Sequence, residues 1–71
     1  MSAFKPKEVI LILQKLGFIR KRQTGSHVIM YSDKLGKTIS VPLHVKDLGR
    51  GLVKSIIKNA ESSENEFLKL K

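Results

Sequence analysis

Residues 18–42 read FIRKRQTGSHVIMYSDKLGKTISVP, and the fold turns on them. Three runs of strand-compatible residues, FIRKRQ, HVIMYS and TISVP, are separated by TGS and DKLGK, both short and both holding a glycine. β-Branched and aromatic side chains suit a pleated sheet, and gaps this short join neighbouring strands. The stretch therefore predicts an antiparallel three-stranded meander. Side chains alternate across a strand. In the second run Val28 and Met30 share one face, and His27, Ile29 and Tyr31 the other; in the third, Ile39 and Val41 oppose Thr38 and Ser40. Val28, Met30, Ile39 and Val41 are expected under a covering layer, which leaves His27, Ile29 and Tyr31 on an open face. The first run alternates less cleanly. If Phe18 points inward, Arg20 and Arg22 share its side and Ile19 and Lys21 take the other.

The flanking segments supply the cover. KPKEVILILQKLG (residues 5–17) predicts a helix, with Pro6 at an early position where its missing N–H costs nothing and Gly17 as the stop. Val9, Ile12, Leu13 and Leu16 recur at helical spacing, and Ile10 and Leu11 widen the apolar face. After Pro42, LGRGLVKSIIKNA (residues 48–60) has the same period. Leu48, Leu52, Ile56 and Ala60 form one row, with Val53 and Ile57 beside it. Arg50, Lys54 and Lys58 form a basic row on another face, open either to solvent alone or to a polyanion. In the tail, Ser63 and Glu66 have capping-box spacing ahead of Phe67, Leu68 and Leu70, which predicts a short third helix frayed at its end. The order α-β-β-β-α plus a terminal helix gives an α+β fold: a three-stranded antiparallel sheet with two helices packed on one face.

Seventy-one residues predict a single domain, 1–71, near the lower size limit for a self-supporting core. The chain has no cysteine, which removes disulfides and thiolate chemistry. No apolar run reaches the roughly 18 residues of a membrane span. The opening MSAFKPKEVILILQKLG does not fit a signal peptide, so the cytoplasm is the expected location. Charge is the strongest signal of composition: the net charge is +8, and positions 1–60 hold twelve of the fourteen basic residues but only three of the six acidic ones. A positive body of this kind attracts polyanions, nucleic acid first among them.

The α-β-β-β-α order resembles the double-stranded-RNA-binding-domain fold. LGF at 16–18, GSH at 25–27, VPLH at 41–44, KDLGRG at 46–51, SIIKNA at 55–60 and a short EFL tail, in this order and at these separations, resemble the HicA family of toxins. The resemblance implies a messenger-RNA endonuclease, or mRNA interferase, paired with a HicB-type antitoxin. It also implies that His27 is the catalytic histidine, with Gly25 and Ser26 forming the turn before it. Pro42 and His44 match the segment after the third strand, and Gly51 the glycine that opens the second long helix. The family often has threonine after that glycine, whereas this chain has Leu52.

Residue chemistry agrees with that implication. RNA carries its own nucleophile, the 2′-hydroxyl, so an enzyme needs a proton acceptor and groups that stabilise charge on the phosphoryl. Histidine suits the proton step, since an unperturbed imidazole titrates near neutrality. Arg20, Lys21 and Arg22, the backbone N–H groups of Gly25 and Ser26, Tyr31 and His44 are candidates for RNA binding or transition-state support. His44 stands either as an acid for the leaving group or as a residue that caps the next helix or bonds the backbone. Ile29 and Tyr31 are either a contact surface for a base or an antitoxin, or ordinary half-buried strand residues. Adjacent Ser26 and His27 diverge in a strand and make a poor nucleophile–base pair. Two histidines and scattered acids form no compact ligand set, so no metal or other cofactor is expected. The alternative function is an RNA-binding module of the same fold that cuts nothing. A monomer is one reading of the oligomeric state, which the residues leave open.

Overall fold

The computed structural model describes residues 3–71. The elements follow the expected order: α1 (Pro6–Lys15), β1 (Ile19–Thr24), β2 (His27–Ser32), β3 (Lys37–Pro42), α2 (Arg50–Asn59) and α3 (Glu64–Leu70). The strands form one antiparallel sheet in the order β1-β2-β3. Val28, Met30, Ile39 and Val41 are buried beneath α1 and α2, together with Phe18, Ile12 and Leu13. No helix among the described residues is long and apolar enough to cross a membrane.

Helix α1 begins with Pro6 at its first position, and Glu8 accepts a hydrogen bond from the Lys5 backbone N–H at 2.8 Å. That contact satisfies a donor the helix cannot use and places a negative charge at the positive end of the dipole. The helix ends in a Schellman motif: Phe18 N–H donates to the Leu13 carbonyl at 2.9 Å and Gly17 N–H to the Gln14 carbonyl at 3.1 Å. Gly17 closes it at φ +100°, and nothing lies within 4 Å of where its Cβ would stand. Gly17→Ala is therefore a conformational penalty with no clash, expected to cost about 1–2 kcal/mol in a urea titration. An unchanged midpoint would show that the turn relaxes freely.

Three expectations about the helices need correction. Leu11 does not widen the buried face of α1; it is 57% exposed, because α1 covers a sheet only three strands wide and its far side has nothing to pack on. Leu48 is buried, but ahead of α2: it pairs with Phe4 in an isolated bridge, its N–H donating to the Phe4 carbonyl at 2.8 Å, while Leu52 stays substantially exposed. Helix α3 is tied down at its end. Ser63 Oγ accepts from Glu66 N–H at 3.1 Å at its start. Past its last turn, Lys15 Nζ donates to the Leu70 carbonyl at 3.1 Å and Lys71 Nζ to the Ala3 carbonyl at 2.6 Å. Phe67 packs edge-on against Phe4, ring centres 6.1 Å apart, and both are fully buried.

The first strand departs from simple alternation for a definable reason. Its register against β2 pairs Arg20 with Met30 and Arg22 with Ile29, leaving Lys21 as the extra residue of a β-bulge. Ile19, opposite Tyr31, and Arg22, opposite Ile29, thus lie on the open face, whereas Arg20 and Gln23 lie on the helix side. The expectation that Arg20 and Arg22 share a side is overturned by this one inserted residue. The bulge and the RKR charges also blunt an edge strand whose residues are all exposed.

Candidate active site

The two-residue hairpin between β1 and β2 pairs Thr24 with His27, so Gly25 and Ser26 form the loop. Gly25 has φ +58° while Ser26 keeps a negative φ, the arrangement of a type II′ turn whose first central position suits glycine. A hydrogen-bonded chain braces the turn from the helix side. Arg20 donates to Gln23 Oε1 at 3.2 Å, and Gln23 Nε2 donates to the Gly25 carbonyl at 3.3 Å. His27 is the first residue of β2 and is solvent-exposed.

On the other side of β2 the register sets His27 against Pro42, the buried last residue of β3. The chain leaving β3 therefore emerges beside the Gly-Ser turn, and Leu43 N–H donates to the Ser26 carbonyl. This contact brings the second histidine in. The His27 and His44 rings lie 5.7 Å apart between centres and are tilted by 58°. His44 does not cap the next helix: the N-cap of α2 is Gly49, with no side-chain hydrogen bond.

Along the open face, Arg22 is the diagonal neighbour of His27, since Arg22 opposes Ile29 and Thr24 opposes His27. Diagonal pairs stand roughly 7–8 Å apart, and somewhat less at Cβ, within reach of an arginine. Lys21 Nζ sits 5.2 Å from the centre of the Tyr31 ring. The Tyr31 hydroxyl donates to Asp33 Oδ1 at 3.4 Å, at the end of β2 remote from His27. Lys21 and Arg22 are the charged strand residues on this face, whose apolar members are Ile19, Ile29 and Tyr31.

The candidates thus divide. Gly25, Ser26, His27 and His44 meet at one end of the sheet, Arg22 is the diagonal neighbour of His27 there, and Lys21 and Tyr31 stand farther along the same face. Arg20 is apart, beside Lys7, Leu11 and Gln14 of α1 in a groove of about 290 Å³. Arg50, Lys54 and Lys58 are exposed on α2, in the helical layer behind the sheet. Among the described residues no three His, Asp or Glu side chains converge as a metal would require. Two participants had no sequence signal that marked them: Gln23, which braces the turn, and Leu43, whose backbone carries His44 to His27.

A family model described as the HicA toxin of bacterial toxin-antitoxin matches residues 6–61 of this chain. No curated protein matches it.

Proposed function

Because the chain belongs to the HicA toxin family, and so to a toxin–antitoxin system, we propose that it is a metal-independent endoribonuclease that cuts messenger RNA with His27 as general base. The observation that carries this reading is a solvent-facing imidazole at the mouth of a glycine turn, with Arg22 diagonal to it on a basic open face. His27 accepts the proton of a ribose 2′-hydroxyl, whose oxygen then attacks the adjacent phosphorus. Arg22 and the backbone N–H groups of Gly25 and Ser26 stabilise the charge that builds on the phosphoryl oxygens. Lys21 and Tyr31 hold the strand farther along. The products are a 2′,3′-cyclic phosphate and a 5′-hydroxyl. Residues 1–71 act as one domain, and the substrate sets the cytoplasm as the working compartment.

A HicB-type antitoxin is the partner that silences it, by covering the open face. Ile19, 62% exposed, continues the apolar strip of Ile29 and Tyr31 next to the catalytic turn. A protein seated there shields both apolar surface and His27. The test is cleavage of a single-stranded RNA by the purified chain, with and without an equimolar antitoxin. Cutting that the antitoxin stops is expected. RNA that is bound with steep salt dependence yet recovered whole would favour a binding module of the double-stranded-RNA-binding-domain type.

Within this site the basic residues separate by position. Arg22→Ala is expected to lower cleavage by about 10- to 100-fold, the worth of a charge-assisted hydrogen bond to phosphate. Lys54→Ala, on the helical layer, should change it by less than about threefold. Equal losses in both variants, read as initial rates on one RNA, would move the RNA path onto α2.

A further inference from the structure

We propose that His44 is the general acid of the reaction, protonating the 5′-oxygen as it leaves, an inference that rests on the ribonuclease reading above. Three observations place it there. The His44 ring stands 5.7 Å from that of His27, and the 58° tilt rules out a face-to-face stack. Ring centres 5.7 Å apart leave a gap that one phosphodiester, hydrogen-bonded to each ring at about 2.8 Å through a different oxygen, can bridge. Two imidazoles at this separation can therefore grip one phosphodiester from different sides. His44 is also held in place: Leu43 N–H bonds the Ser26 carbonyl, and Leu43 and Val45 pack against the core, while the imidazole between them faces solvent. Finally, the structural duty that a histidine here would most simply have, capping α2, is not performed, because Gly49 occupies the cap.

The step balances with these two side chains alone. Neutral His27 takes the 2′-hydroxyl proton as the 2′-oxygen–phosphorus bond forms. The bond from phosphorus to the 5′-oxygen breaks, and that oxygen takes a proton from the His44 imidazolium. One proton has moved, in effect, from His44 to His27, and exchange with water restores both. No other reactant is consumed.

The test removes the need for an acid and asks whether His44 still matters. Two RNAs are compared at one mapped cleavage site, one ordinary and one with sulfur in place of the bridging 5′-oxygen, whose thiolate leaves unprotonated. His44→Ala is expected to lower cleavage of the ordinary RNA by about 10²- to 10⁴-fold. On the sulfur-bridged RNA it should stay within about tenfold of the unmodified chain. His27→Ala should be impaired on both. Circular dichroism of each variant confirms folding, which the exposure of both rings favours. If His44→Ala cleaves ordinary RNA as well as the unmodified chain, or loses the same factor on both RNAs, the acid role is overturned and the ribonuclease reading stands. If the unmodified chain cleaves neither RNA, or His27→Ala cleaves both normally, that underlying reading falls and the inference falls with it.

Discussion

Replacing His27 with alanine is expected to lower RNA cleavage by about 10²- to 10⁴-fold, the usual contribution of a positioned general base, while the protein stays folded and still binds RNA. The loss follows from chemistry. Without an acceptor at the turn, the 2′-hydroxyl must give its proton to water or to His44, whose ring stands 5.7 Å away and is not positioned as the base. The intact fold follows from exposure. His27 lies outside the core, and its backbone pairing with Thr24 and Pro42 does not depend on the ring. Its removal should therefore change stability by no more than about 0.5 kcal/mol. Retained binding follows from the division of labour, since Lys21 and Arg22 carry the charge on this face. A single-turnover rate, a melting curve and a binding isotherm on the same variant separate the three. If binding collapsed together with cleavage, His27 would be an RNA contact first.

Phe67→Ala is the substitution expected to damage the fold most. Removing a fully buried phenylalanine costs about 3–5 kcal/mol. A chain of 71 residues commands only about 4–11 kcal/mol in total. The loss should appear as a fall in melting temperature of about 10–40 °C. Its neighbour Leu68, 38% exposed on the same helix, serves as the control and should shift little when changed to alanine. The Phe4–Phe67 pair lies wholly outside the residues 6–61 that the family model matches, yet both rings are in the core. Lys71 adds a second tie between the two termini, with Nζ 5.0 Å from the centre of the Phe4 ring and 3.9 Å from Glu8. The segments beyond the matched region thus help to hold the site's scaffold. A Phe67→Ala protein that melted with the unaltered chain would show α3 to be an appendage.

Several of these features were legible in the residues, for reasons that are local. The turn at Gly25, the helix stop at Gly17 and the Ser63 cap each depend on a few adjacent side chains and their backbone preferences. The split of β2 into a buried Val28–Met30 face and an open His27–Ile29–Tyr31 face depends only on period two. What stayed hidden depends on contacts between segments distant along the chain. Nothing in RKR marks Lys21 as the bulged residue, since the extra residue is defined only by the partner strand. Helical spacing says how wide an apolar stripe is, and only the width of the layer beneath says how much of it is covered; Leu11 and Leu52 are exposed for that reason. The distance from His27 to His44 is set by the β2–β3 register and by one backbone hydrogen bond from Leu43, neither of which leaves a pattern in the loop after Pro42.

The chemistry at the end of each fragment tests the central claim most directly. A defined RNA is incubated with the purified chain in buffer holding excess chelator, and the termini are identified by mass. Attack by the 2′-hydroxyl, with His27 as base, predicts a 2′,3′-cyclic phosphate on one fragment and a 5′-hydroxyl on the other. Fragments bearing a 3′-hydroxyl and a 5′-phosphate, or cutting that appears only when a divalent cation is restored, would contradict it: the nucleophile would then be water, and His27 would not be the base that starts the reaction.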